Sequence, residues 1–404
     1  MIYDVIIIGA GAAGLMTAIV AKQGGAEVLL LEGQNKPGAK ILMSGGTRCN
    51  VTNKEITQKD YNSQQMLSVR NILRAFDNED TLKFFNERGV EMVLEKTGKY
   101  FPKSNSGKTI LEVLLKEAAG CMKTNCKVQS MGLKDGVFEA SGEGFCFKGK
   151  NIVLATGGLS YPSTGSDGVG YRLAAALGHN LIETSPALTP LTTNDEEFKS
   201  LAGIALPVRL DFYVDGKKAV SFEDSFLFTH FGFSGPVVLD ISRHWLRAKG
   251  KKELLANFLP QLEEGELEKV LLSAKNKTVK TVLSEYLPQR LVDVLLSRSE
   301  ISTGIPLNQL SKDRRQKLLM LCLRNPLAIT GTLGYSKAEI TAGGIDWSKV
   351  NGKTLESKIQ PGVFFVGEIL DVDGRIGGFN FQWAWASGHV AGREIIKKLE
   401  RNKE

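Results

Sequence analysis

Cysteine and histidine are scarce in this 404-residue chain: five cysteines (Cys49, Cys121, Cys126, Cys146 and Cys322) and four histidines. The cysteine count is odd, no Cys-x-x-Cys occurs, and the spacings are not those of paired metal ligands, which argues against a redox disulfide centre and against a zinc site. No metal is expected. No apolar run approaches the roughly 20 residues of a membrane span, and the first residues read as an acid and a core strand instead of a basic region, an apolar stretch and a cleavage site. The expectation is a cytoplasmic protein with no membrane partner. Internal repeats and low-complexity tracts are also absent.

What is present suits a soluble enzyme of two or three domains: 42% hydrophobic and 24% charged residues are enough to bury a sizeable core. The formal charge is +7, and most of the excess sits in one segment. From Lys269 to Lys317, ten Lys/Arg face four acids, a local balance of +6. Such a segment reads either as a solvated helical face or as a grip on an anionic partner such as RNA.

Three glycine-rich segments spread along the chain form a set. In the first, Gly9-Ala10-Gly11-Ala12-Ala13-Gly14 follows an apolar strand, Tyr3 to Ile8, and precedes helical periodicity from Leu15 to Val20. Gly9 permits the tight turn, Gly11 lets a pyrophosphate approach the backbone, and Gly14 lets helix and strand pack closely. The helix start, with Ala12 and Ala13, offers N–H groups and a partial positive charge to the phosphates. A second strand, Glu27 to Leu31, ends at Glu32, whose carboxylate can accept both hydroxyls of an adenosine ribose and disfavours a 2′-phosphate. This is a dinucleotide fingerprint.

The second segment is Ala155-Thr156-Gly157-Gly158, after an apolar strand from Asn151. The third is Gly367-Glu368, after the strand Gly362 to Val366, followed by Arg375-Ile376-Gly377-Gly378-Phe379-Asn380 at the start of a long closing helix that runs to about Leu399. A simple nicotinamide dehydrogenase needs nothing special there. Glu368 is placed to bind a ribityl hydroxyl, and the amides at the closing helix start can face the N1/C2=O side of an isoalloxazine and stabilise reduced flavin. The competing reading is a glycine turn that merely caps a packing helix. No second Gly-x-Gly-x-x-Gly occurs, so NAD(P)H is expected only as a transient electron donor at the flavin.

Between these motifs, helices are expected at Asp80 to Val90, Thr109 to Ala119 and Tyr171 to Leu177, and a strand at Cys126 to Met131. The proline-containing run Ser185 to Leu191 breaks the pattern. Strands follow at Val208 to Val214 and Ala219 to Phe222, then a lysine-rich helical stretch from about Lys252 to Leu323. An inserted domain over 191–336 thus interrupts a cofactor domain of residues 1–190 and 337–404.

Several stretches resemble one family: Ser44-Gly45-Gly46-Thr47-Arg48-Cys49-Asn50-Val51-Thr52-Asn53, Phe101-Pro102-Lys103-Ser104, Pro186 to Leu191, Phe228-Thr229-His230-Phe231-Gly232-Phe233-Ser234-Gly235-Pro236, Thr341-Ala342-Gly343-Gly344-Ile345, and Gly367 through Gln382. In order and over nearly the whole length, the chain is similar to the FAD-dependent oxidoreductases that include the BaiN-like bile-acid reductases and the flavin-dependent ribosomal RNA dihydrouridine synthases. The resemblance implies non-covalent FAD in a Rossmann-like α/β domain of the glutathione-reductase type, with an inserted domain of β-barrel and helices. Gly38, Lys40, Gly45, Gly46, Arg48 and Val128 join the expected cofactor-binding residues. Thr47 stands where the family usually has a third glycine, and a tighter turn is expected to be lost there.

For catalysis the candidates are Cys49, as proton donor or as a small packed side chain; His230, as acid or substrate clamp or as a satisfied core residue among Phe228, Phe231 and Phe233; and Tyr161. Arg48 reads as a partner for phosphate or a substrate carbonyl, or as a surface cation. Three functions are compatible. The first is NAD(P)H-dependent reduction of an activated C=C, with uridine in large-subunit ribosomal RNA favoured by the basic insert. The second is a flavin oxidase or reductase of a small molecule such as an aminoketone or steroid-type enone. The third is a non-catalytic flavin redox sensor.

Overall fold

The computed structural model describes residues 1–273 and 277–401, so Lys275 of the basic segment lies outside the described residues. The chain divides into two compact units, one of residues 1–186 and 339–404 and one of residues 187–338. None of the described helices is long and apolar enough to cross a membrane.

The first unit is built on a seven-stranded sheet. Strand β1 (Ile2–Ile8) leads into helix α1 (Ala12–Gln23) and then β2 (Val28–Leu31), and β1 is flanked in parallel by β2 and by β3 (Phe145–Leu154). Apolar residues fill both faces of these strands, as a sheet covered on both sides requires; Val5, Ile6, Ile7 and Leu30 are fully buried. β3 serves two further pairings. Its first half runs antiparallel to Val137–Gly142, and its last residues run parallel to Val363–Phe365, so the chain returns after the insert to the same sheet. The closing helix, Phe379–Arg401, lies against α1 at its small residues: a Cβ added at Gly388 would come 2.5 Å from the Ala13 carbonyl oxygen.

In the second unit, β4 (Ala205–Val214) and β5 (Lys217–Thr229) form a long hairpin inside a seven-stranded antiparallel sheet. Helix α2 (Pro236–Arg247) follows, then β6 (Lys252–Asn257), which pairs with β4. The outermost strands, Asn325–Pro326 and Gly331–Thr332, are consecutive in the chain, so one short connection joins the two edges of the ladder. Phe198, Phe226, Phe228, Phe233 and Phe258 pack as one aromatic core, with Phe226 and Phe228 ring centres 5.0 Å apart.

Two expected elements differ. Lys252–Asn257 is a strand, not the start of a helix, because its backbone completes the ladder of β4; only residues from Glu264 onward are helical. The strand expected at Cys126 to Met131 begins at Ser130, since Cys126 N–H donates across to the Glu32 carbonyl (2.8 Å) outside the antiparallel ladder. The basic segment is also more neutral than its composition suggests. Lys277 meets Glu285 (2.7 Å), Lys280 meets Asp293 (2.6 Å), Arg298 meets Asp195 and Glu197, Arg315 meets Glu268, and Lys317 meets Glu300 (2.6 Å).

Candidate functional site

Short strands joined by glycine turns bring the three motifs of the first unit together. Gly9 takes a left-handed φ of +105°, and a Cβ there would come 2.5 Å from the Ala155 carbonyl oxygen, so the first and second motifs touch through backbone alone. A Cβ at Gly14 would overlap the Gly9 carbonyl oxygen, which is the close helix–strand approach expected of the third fingerprint glycine. Gly11 is different. Nothing lies within 4 Å of the position its Cβ would take, so the start of α1 faces open space with the amides of Ala12, Ala13 and Gly14 in its first turn. That is the cradle a pyrophosphate needs, and the residues present fit the group.

Glu32 closes one side of this cradle. One carboxylate oxygen accepts from Ala10 N–H (2.9 Å) and the other from Gln34 N–H (2.8 Å), which orients the carboxylate at the end of β2 beside the fingerprint. Lys127 lies against Gly33, and its neighbour Val128 is 2% exposed.

On another side, Gly367 lies against α1, its added Cβ falling 2.9 Å from the Ala13 side chain. The backbone of Gly367 is held by the closing helix, through Ser387 (3.0 Å to its N–H) and Trp383 (3.0 Å to its carbonyl). Glu368 therefore enters a compact network. Its carboxylate accepts from Lys40 Nζ (2.5 Å), Ser160 Oγ (2.5 Å) and Thr341 N–H (2.9 Å), and Lys40 also reaches Ser160 Oγ (2.6 Å). Thr341 Oγ1 accepts from the amides of Leu159 and Ser160 (2.8 and 3.1 Å), just past Gly157 and Gly158. A Cβ at Gly158 would come 2.9 Å from Glu368, so glycine is needed for this convergence. Lys40 and Glu368 thus hold each other, and the Glu368 carboxylate is oriented by three donors.

The loop Ser44–Asn50 keeps its tight turn without the third glycine: Gly45, Gly46 and Thr47 are all left-handed (φ +56°, +67° and +72°), and Thr47 is tied down by its carbonyl, which accepts from Gly107 N–H (2.8 Å). The expected loss of the turn is corrected. Arg48 pairs with Glu95 (2.7 Å) and stacks 3.9 Å over Phe101, so its charge is engaged within the protein. Cys49 is fully buried, and burial pushes its thiol up to about 12 against a smaller lowering by Ser44. A donor must reach its substrate, and the enclosed Cys49 side chain fits the packed reading better than the donor reading. In the folded protein Cys49 is accordingly expected to resist iodoacetamide while exposed Cys146 reacts, because alkylation needs an accessible thiolate. Peptide mapping of alkylated protein checks this; rapid labelling of Cys49 would contradict it.

At the start of the closing helix, Gly377 and Gly378 take φ of +133° and +94°. Asn53 Nδ2 donates to the Gly377 carbonyl (2.9 Å), and Asn380 closes the turn by bonding both the N–H and the carbonyl of Gly374 (2.8 and 2.9 Å). The first-turn amides of a 23-residue helix are thereby aimed from a rigid base. Tyr61 supports Phe379 through its carbonyl (2.8 Å) and an edge-on ring contact.

Tyr161 has left-handed backbone (φ +49°) just after the second motif; burial, then the Glu339 carboxylate, hold its hydroxyl above the usual range, so it keeps its proton at neutral pH. His230 lies in the second unit. It is exposed in the turn between β5 and Gly232–Ser234, ring edge to Phe231, and is not a core residue among its phenylalanine neighbours.

Ser160, Thr341, Asn53 and Gln382 were not singled out by sequence reasoning. Gln382, fully buried, accepts from Thr52 (2.7 Å) and Thr81 (2.9 Å) and donates to the Phe76 carbonyl (2.9 Å). Asn53, Thr341 and Gln382 do fall inside the stretches that carry the family resemblance, but their roles depend on partners far away in the chain.

The profile of a family described as HI0933-like protein Rossmann domain matches residues 3–394. The chain is 35% identical over 404 residues to a ribosomal RNA dihydrouridine synthase of Escherichia coli, covering 98% of both chains. It is 33% identical to a 3-dehydro-bile acid delta(4,6)-reductase of Clostridium scindens, covering 97% of this chain and 98% of that one. Among solved structures, a 3-ketosteroid-delta4-(5alpha)-dehydrogenase from Rhodococcus jostii matches over 96% of both chains at 17% identity, with a TM-score of 0.47.

Proposed function

Because this chain belongs to the HI0933-like Rossmann-domain family, we propose that it is an FAD-dependent oxidoreductase that reduces an activated C=C, with uridine in large-subunit ribosomal RNA as its substrate. The observation that carries the reading is the convergence of Gly11, Glu32 and the Lys40–Glu368 network on one open cradle. In this reading the start of α1 binds the pyrophosphate and Glu32 the adenosine ribose. The Gly377–Gly378 turn presents the closing helix's first amides to the flavin ring. Bound FAD supplies hydride transfer to an electron-poor alkene carbon. The chain's own contribution is to hold that ring, to place positive helix-end potential beside it, and to deliver a proton to the neighbouring carbon.

Tyr161 is the donor of choice in the first unit. It retains its proton, and it directly follows Ser160, which the Glu368 network holds. The bile-acid relative favours a second reading with the same chemistry, reduction of a conjugated small-molecule enone.

The test has two arms. NADH or NADPH added without oxygen is expected to bleach the flavin, and ribosomal RNA from cells lacking the protein is expected to lack a dihydrouridine that wild-type cells contain. Persistence of the modification would remove uridine and leave the enone.

A further inference from the structure

The second unit carries a basic surface outside the lysine-rich helical segment. From Arg243 to Lys252 there are five cations, Arg243, Arg247, Lys249, Lys251 and Lys252, and no acid. These residues end α2, turn, and begin β6. The turn is clasped to the tip of the β4–β5 hairpin: Asp215 N–H donates to the Lys251 carbonyl (2.9 Å), and the Asp215 carboxylate accepts from Lys251 N–H (2.8 Å). Gly250 makes room for it, since a Cβ there would collide with the Asp215 carboxylate. The one acid at the hairpin tip thus serves the backbone.

Register adds further cations to this corner. Lys252 is opposite Val214, and Val214 is opposite Lys217, so both lysines stand in one cross-strand row on the same face of the sheet. Lys252 extends over the Trp245 ring (4.6 Å to its centre), leaving an aromatic side chain among the lysines. Lys218, next along the hairpin, pairs with Asp211 (2.5 Å). Lys217, Lys249 and Lys251 are exposed and have no carboxylate partner among the described residues. In the helical segment Lys277, Lys280, Arg298, Arg315 and Lys317 each have one, while the exposed Lys269, Arg290, Lys312 and Arg314 are spread over three helices instead of meeting at one corner. None of the large exposed apolar side chains falls in this corner, so a membrane would find charge there and nothing to insert.

We propose that the corner formed by the β4–β5 hairpin tip and the α2–β6 turn is where this protein grips the phosphate backbone of its RNA substrate. The proposal rests on the ribosomal RNA reading above. Unneutralised lysines displace counterions from phosphates, and Trp245 offers a face or edge on which an unpaired base can rest.

The test compares two triple variants of equal charge change, Lys217→Ala/Lys249→Ala/Lys251→Ala and the carboxylate-paired Lys277→Ala/Lys280→Ala/Lys317→Ala, with wild type. In-vitro-transcribed large-subunit ribosomal RNA is titrated across a salt series. Each lost phosphate contact makes the log–log slope shallower by about 0.7 to 0.9, so the corner variant is expected to lose about 2 slope units. The helical variant is expected to keep the wild-type slope, and flavin reduction by NAD(P)H to be equal in all three.

Equal slopes in the two variants would overturn the proposal, whether both fall or neither does. RNA bound with an unchanged slope in the corner variant would dismiss this surface while the RNA reading stood. If wild type binds no RNA at low salt but binds an acidic peptide or anionic vesicles through this corner, the surface serves another partner and the proposal fails. Persistence of dihydrouridine in cells lacking the protein is the separate result that sinks the substrate assignment itself.

Discussion

Gly14→Val is expected to abolish cofactor binding and to destabilise the first unit severely. A Cβ at this position would overlap the Gly9 carbonyl oxygen, which belongs to a turn that cannot retreat: Gly9 N–H is bonded to the Leu31 carbonyl (2.8 Å), and its other side abuts Ala155. Ordinary overpacking of a core costs roughly 1–3 kcal/mol because side chains can shift. Here the obstacle is backbone and valine adds two methyl groups, so the expected loss is about 3 kcal/mol or more, on the order of a protein's spare stability. Urea unfolding, together with the flavin absorbance of the purified protein, measures both effects. Gly11→Ala is the informative contrast. Its Cβ has open space, so the fold should melt at or above the wild-type temperature, while any loss of cofactor reports how closely the phosphates approach. A Gly14→Val protein with wild-type stability and full flavin would mean that the fingerprint turn is not what holds α1 to the sheet.

Glu32→Ala should produce a folded protein that retains little FAD. The carboxylate accepts the amides of Ala10 and Gln34 and in the proposed complex also the ribose hydroxyls, and charge-assisted bonds of this kind contribute roughly 1.5–3 kcal/mol each. In the free protein, water can replace it at the two amides, because the site lies at the edge of the cradle; against the ribose it cannot. The consequence is an affinity loss of at least about tenfold, at 1.4 kcal/mol per factor of ten. Glu32→Gln should fall between, since it keeps an acceptor and loses the charge. Equilibrium dialysis of refolded apoprotein against FAD decides the matter, and wild-type affinity in Glu32→Ala would show that the acid at the end of β2 does not face the ribose.

Where local chemistry dominates, the sequence was readable. The β1–α1–β2 unit rests on an apolar run, a glycine turn and helical periodicity within about thirty residues, and each signal is local. The Rossmann-type sheet and its family followed from motifs that remain contiguous. What escaped were features decided by distant partners. Lys252–Asn257 carries lysine, glutamate, leucine and alanine, all good helix formers, yet pairs with β4 because a ladder edge was waiting there. Thr47 adopts a glycine-like φ because Gly107 binds its carbonyl. Glu368 reads from the sequence as a ligand for a hydroxyl, and no local signal indicates that Lys40, Ser160 and Thr341 converge on it. Charge counting found the excess between Lys269 and Lys317 but not the acids facing it, three of which (Asp195, Glu197 and Glu268) lie outside that window.

The most direct test is the identity of the small molecule released when the purified protein is denatured. A fingerprint built on Gly9, Gly11, Gly14 and Glu32 binds an adenosine diphosphate moiety, and the Gly377–Gly378 turn is suited to a flavin ring, so chromatography should show FAD at close to one equivalent per chain. Recovery of FMN, or of NAD with no flavin, would contradict the assignment.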